Sequence, residues 1–171
     1  AETDTPDYII KLASVVTAER DLSLFDELIA SNLKILLNLY QRFQGDSPLK
    51  LFIQFGSSEE YGAENAPFTE KQRESPNSPY ALVKQLTTQT ALMLYRNYGF
   101  PTTVVRPGNL FGPFQNERKF IPYLVGRLKA GLPLDVSPAE QKRDFIYADD
   151  FCRAIRAILQ NHTRCLGEII N

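Results

Sequence analysis

A doubly wound, parallel α/β sheet is the fold this sequence predicts. Short apolar runs alternate with longer segments of helical period, the order is strand, helix, strand, helix, strand, and glycine or proline marks most of the changes. Parallel pairing follows because each helix then serves as a right-handed crossover between strands.

Tyr8 to Leu12 reads as the first strand, and Phe25, Leu28, Ile29, Leu33, Leu36 and Leu37 mark one face of the helix after it. Leu49 to Phe55 is the second strand and ends at Gly56. Ala63 to Ser78, with two prolines and many charges, is a loop. A long helix runs from Pro79 to about Tyr98, turning Leu82, Leu86 and Met93 towards a core, and stops at Gly99 with Pro101 beyond it. Thr102 to Arg106 is a β-branched strand. Past Gly112-Pro113 the pattern loosens into a helix around Phe120 to Lys129 and short extended pieces near Leu134 and Phe145. A helix from about Asp149 then carries Phe151, Ile155 and Ile158, with Asp150 as its N-cap, and Ile169-Ile170 begins a last strand.

With 171 residues and 43% apolar content, the chain has enough material for one substantial core. The net charge is −1 and the basic residues are scattered, which argues against a nucleic-acid track or a membrane-binding face. No apolar run reaches the roughly 20 residues that span a bilayer. Ala1-Glu2-Thr3-Asp4 is not a signal sequence, and a soluble cytoplasmic protein is expected. Cys152 and Cys165 lack metal-ligand spacing, which fits a reducing compartment. The single histidine, His162, sits in a polar stretch and reads as a surface residue, so no histidine triad or His-rich metal site is expected.

Chemistry concentrates around Tyr80 and Lys84. At i and i+4 on a helix they share a face, so a phenol and an ammonium can meet. Ser78 as N-cap and Pro79 at the first helical position put Tyr80 in the first turn, at the positive end of the helix dipole. Bringing a tyrosine from its usual pKa of about 10 to near 7 takes roughly 4 kcal/mol of preference for the phenolate, which a neighbouring cation and the helix end both favour. Taken alone, the spacing is also that of any amphipathic helix.

In an open parallel sheet, ligands gather at the carboxyl ends of the strands. Gly56-Ser57-Ser58-Glu59 ends one strand, Arg106-Pro107-Gly108-Asn109 ends the next, and Tyr80 opens the helix between them, so all three can converge on one crevice. A hydroxyl of Ser57 or Ser58 can hold a substrate carbonyl or alcohol while Tyr80 moves its proton. Serines after a strand also cap and turn.

Together with Arg106-Pro107-Gly108-Asn109-Leu110-Phe111-Gly112-Pro113 and Arg143-Asp144-Phe145-Ile146-Tyr147-Ala148-Asp149-Asp150, these residues resemble the extended short-chain dehydrogenase/reductases, from Tyr8 to Asn171. These are NAD-dependent nucleotide-sugar epimerases, dehydratases and reductases: isomerases, lyases and oxidoreductases. The resemblance implies the central part of a Rossmann-like sheet. Residues 1–112 would belong to a partial NAD(P)-binding domain, and residues 113–171 to part of a small substrate domain with returning elements of the first. It implies that Tyr80 is the catalytic acid/base, that Lys84 holds the nicotinamide ribose and lowers the tyrosine pKa, and that Ser57, beside Ser58, is the hydroxyl partner of the substrate.

The same resemblance places Leu12-Ala13-Ser14 along the cofactor ribose and pyrophosphate, with Asn32 on the following helix and Pro107 near the cofactor. The family has a histidine before the Leu-Ala where this chain has Lys11. Ile35 and Leu36 replace the Gly-Thr expected after the asparagine. Asn109 and Arg143 match positions that hold the diphosphate of a sugar nucleotide, a role suited to an arginine fork, and Phe120 falls where the family lines the nucleotide pocket. Glu59 matches a glutamate of the 4,6-dehydratases that can abstract the proton alpha to a 4-keto group. Some 4-keto-sugar reductases carry a similar turn, and a surface carboxylate is the third reading.

The implied cofactor is NAD, with NADP equally compatible. The implied partner is a nucleotide-diphosphate sugar, and a homodimer would pack through the Tyr80 helix and the one before it. None of the nine glycines forms the G-x-G-x-x-G fingerprint. The family places that unit ahead of Tyr8, so a piece of a longer enzyme is expected, the alternative being a catalytically silent binding module.

Overall fold

The structure, a computed structural model, describes residues 5–45, 48–63, 66–138 and 142–171. Ala1 to Asp4, and Glu64 and Asn65 of the expected loop, lie outside the described residues. The chain divides into two compact units, residues 1–107 with 158–171, and residues 108–157.

The first unit is built on a four-stranded sheet in the order β1-β2-β3-β6, parallel throughout. Its strands are β1 (Tyr8–Lys11), β2 (Leu51–Phe55), β3 (Thr102–Val105) and β6 (Ile169–Ile170). Between β1 and β2 run α1 (Phe25–Ile29), a π-helical segment (Ala30–Lys34) and α2 (Ile35–Phe43). Leu36, Phe52, Ala91, Leu92, Leu94, Phe100 and Val104 form the main buried cluster between sheet and helices.

Helix α3 (Pro79–Tyr98) matches the sequence signals at both ends. The Ser78 hydroxyl accepts from the Ala81 N–H at 3.1 Å, Pro79 opens the first turn, and Gly99 closes the helix in a left-handed conformation. Its buried face differs from the expected one. Leu82 and Leu86 are exposed and Met93 is partly buried, whereas Tyr80, Val83, Lys84, Thr87, Thr88 and Ala91 are buried. Leu82 and Leu86 sit two residues from Tyr80 and Lys84, about 200° round the helix, so a face that buries one pair exposes the other.

The second unit holds β4 (Asn109–Phe111), α4 (Phe120–Lys129), β5 (Phe145–Tyr147) and most of α5 (Ala148–Gln160). Strands β4 and β5 pair in parallel, with Asn109 opposite Phe145. Leu134 belongs to no strand. Helix α5 starts at Ala148, so Asp150 lies inside its first turn, pairing with Arg153, and is not the N-cap. Phe151, Ile155 and Ile158 are buried, as their spacing predicts. After α5, the short α6 (His162–Cys165) returns to the first unit, where the half-buried His162 ring packs edge-on against Tyr8 at 5.7 Å.

Candidate active site

Strand β2 ends in a turn that the sequence Ser57-Ser58-Glu59-Glu60 closes as a capping box. The Ser57 hydroxyl accepts from the Glu59 N–H at 3.2 Å, and the Glu60 carboxylate accepts from the Ser57 N–H at 2.9 Å. Gly56 precedes it because nothing larger fits. A Cβ there would collide with Glu60 Oε1 and stand 3.0 Å from Arg106 Cγ.

The Ser57 hydroxyl is near enough to the Tyr80 phenol to hold its pKa down. Lys84 Nζ lies 5.6 Å from the centre of the Tyr80 ring and donates to the Phe55 carbonyl at 3.0 Å. Ser57, Tyr80 and Lys84 are all buried, and Tyr80 packs with Leu28 and Val83. The expected Ser57, Tyr80 and Lys84 set therefore comes together at the carboxyl end of β2. Ser58 is half-buried, its N–H donating to the Pro107 carbonyl at 3.2 Å, and Glu59 is exposed.

Electrostatics here differ from the expectation that Lys84 lowers the tyrosine pKa. Burial pushes the Tyr80 phenol up to about 12; the Ser57 hydroxyl pulls it back, while Glu59 and Glu60 push it further up. Burial also brings Lys84 down to about 8, against the pull of Glu60. Desolvation outweighs pairing for both groups.

Along the end of β1, Leu12 and Ala13 are exposed and Ser14 is half-buried. Ser14 Oγ donates to the buried Asn32 Oδ1 at 2.8 Å, and Asn32 Nδ2 donates to the Leu28 carbonyl at 3.0 Å. Asn32 sits in the π-helical segment, a distortion that often marks functional positions.

In the second unit, Asn109 and Phe120 meet at Phe145, and Arg143 lies just before it in the chain. Asn109 is the register partner of Phe145, its N–H donating to the Asp144 carbonyl at 2.8 Å. The Phe120 ring stacks on Phe145 at 6.0 Å, and Arg143 is exposed two residues before it.

Sequence reasoning gave no role to two buried charged residues of the first unit. Lys11 ends β1 with 5% exposure, and its Nζ has no hydrogen-bond partner among the described residues; burial and Lys84 bring it to about 8. Glu60 is fully buried, with Oε2 paired to Arg106 at 2.8 Å; Arg106 also pairs with Glu74 and donates to Tyr61 Oη at 2.9 Å. The S-x-x-E pattern was the available signal for Glu60. Among the described residues, no group of His, Cys, Asp and Glu could hold a metal ion, and no helix is long and apolar enough to cross a membrane.

The sequence profile of the NAD dependent epimerase/dehydratase family matches residues 1–171. The chain belongs to that family. It is 33% identical over 111 residues to a dTDP-glucose 4,6-dehydratase of Xanthomonas campestris pv. campestris (strain B100), covering 63% of this chain and 32% of that protein. Among solved structures, the dTDP-glucose 4,6-dehydratase from Streptomyces venezuelae with NAD bound has a TM-score of 0.79 at 30% identity, over 95% of this chain and 50% of the other. The UDP-N-acetylglucosamine 4-epimerase from Methanobrevibacter ruminantium M1 has a TM-score of 0.83 at 26% identity, over 96% and 54%. The chain thus spans about a third of the length of that first relative and about half of each solved structure.

Proposed function

We propose that this chain carries the reaction centre of an NAD(P)-dependent nucleotide-sugar epimerase or dehydratase that transiently oxidises the sugar at C4. The burial of the Ser57 hydroxyl, the Tyr80 phenol and the Lys84 ammonium together at the end of a parallel strand is the observation that carries this reading.

The residues present suit a dinucleotide. Lys84 uses one of its three hydrogens on the Phe55 carbonyl, and Lys11 offers a buried ammonium with no hydrogen-bond partner of its own, so hydroxyl and phosphate oxygens would find donors there. Leu12, Ala13, Ser14 and Pro107 would line the cofactor, with Asn32 bracing Ser14. When bound, the nicotinamide supplies hydride acceptance and return.

The protein's own groups do the proton work. Ser57 holds the C4 hydroxyl, Tyr80 takes its proton, and Lys84 favours the phenolate once its charge is directed at the bound ribose and ring. Glu59, exposed two residues after Ser57, would abstract the proton next to the C4 ketone in a dehydratase. Asn109, Phe120 and Arg143 would hold the nucleotide-diphosphate part of the substrate. A second copy of the chain would pack on the exposed Leu82 and Leu86, and a monomeric mass by light scattering argues against that pairing.

Tyr80→Phe tests the reading. In the protein carrying this chain, turnover of a nucleotide sugar should fall by at least about a hundred-fold while calorimetry shows the sugar nucleotide still bound. Undiminished turnover would mean another group moves the proton.

A further inference from the structure

Glu60 joins two parts of this centre. Its Oε1 accepts from the Ser57 N–H at 2.9 Å and from the Thr88 hydroxyl at 3.0 Å, and its Oε2 accepts from Arg106 Nε at 2.9 Å. Thr88 follows Lys84 by four residues and Tyr80 by eight, on the same buried face of α3. One oxygen atom therefore links the turn presenting the Ser57 hydroxyl to the helix presenting Tyr80 and Lys84. A capping residue needs neither full burial nor a partner on a second element.

We propose that Glu60 is the positioning residue of the centre, tying the Ser57 turn to the Tyr80 helix through one carboxylate oxygen and supporting the charge of Lys84. This rests on the reading of Ser57, Tyr80 and Lys84 given above. The groups around it come from every neighbouring element: Lys84 and Tyr80 on α3, Arg106 after β3, Glu74 from the loop, Glu59 and Tyr61 from its own turn, and Lys11 on β1, whose charge is coupled to that of Lys84. Two carboxylates share the Arg106 guanidinium, which opposes the upward push of burial on Glu60, and Glu60 in turn draws Lys84 up against its own burial.

The experiment is a titration of Lys84 followed by side-chain carbon NMR in this chain and in Glu60→Gln, assigned with Lys84→Arg. The half-titration near 8 should move down by about one unit in Glu60→Gln. Glutamine keeps an oxygen for Ser57 and Thr88, so a purely structural role would leave the titration in place; an unmoved Lys84 in folded Glu60→Gln overturns the electrostatic half. Thr88→Val tests the positional half, and decides alone if Glu60→Gln does not fold. In the protein carrying this chain, kcat should fall about ten-fold at unchanged KM, and an unchanged kcat overturns the bridge. The lysine titration uses neither cofactor nor sugar, so its result stands apart from the nucleotide-sugar reading.

Discussion

Replacing Lys11 by methionine should stabilise the protein at neutral pH. Lys11 is 5% exposed at the end of β1, its Nζ has no hydrogen-bond partner among the described residues, and the charge of the buried Lys84 acts against its own. Burial, with help from Lys84, brings its pKa from 10.5 to about 8. At about 1.4 kcal/mol per unit, holding the charge in the fold costs about 3 kcal/mol relative to the unfolded chain. The sign follows from proton counting. Between about pH 8 and 10.5 the unfolded chain binds more protons at this site than the folded one, so stability rises with pH across that window. Methionine has similar length and no charge, so Lys11→Met should gain about 2–3 kcal/mol at pH 7, falling to about 1 kcal/mol at pH 10. Urea denaturation of both proteins at the two pH values measures this, and the Lys84 titration should move upward in the variant. Equal or lower stability at pH 7 would refute the reasoning. So would a gain of the same size at both pH values, because that would assign the effect to packing and not to charge.

Two further outcomes follow from the same cluster. Gly56→Ala should destabilise by about 1–3 kcal/mol in urea denaturation, because its Cβ would press on Glu60 Oε1, Arg106 Cγ and Thr88 Oγ1. Arg106→Met should cost about 3–5 kcal/mol, since it strands the fully buried Glu60 carboxylate without its countercharge; thermal or urea denaturation of the purified variant checks it.

What could be read from the sequence was local. Ser78-Pro79 and Gly99 gave both ends of α3 because caps and left-handed residues act through neighbouring backbone. The β-branched run from Thr102 and the apolar run from Leu49 likewise gave strands, which lie in the middle of the sheet, the second of them starting at Leu51. The inward face of α3 was misread because leucine was taken as the mark of burial. The helix instead turns Thr87, Thr88 and Ala91 inward along with Tyr80 and Lys84, while Leu82 and Leu86 remain outside. Asp150 was expected one turn boundary too late, since Ala148 already starts its helix.

The candidate site divides in the same way. The Tyr80 and Lys84 pair follows from helical spacing, and Ser57 from its place after β2. The upward shifts of Tyr80 and Glu60 and the downward shift of Lys11 follow from burial by groups distant in sequence, which no spacing rule contains. The Glu60 link to Thr88 joins residues 28 positions apart and depends on how α3 lies against the end of β2.

The most direct measurement of the central claim is rapid-mixing absorbance of the nicotinamide when a nucleotide sugar meets the NAD-loaded protein carrying this chain. Reduced nicotinamide should rise and decay within one turnover, more slowly with deuterium at sugar C4, and the rise should be lost in Tyr80→Phe and in Ser57→Ala. A sugar converted with no transient reduction, or a transient of equal rate in Tyr80→Phe, would contradict the assignment of Ser57, Tyr80 and Lys84 as the reaction centre.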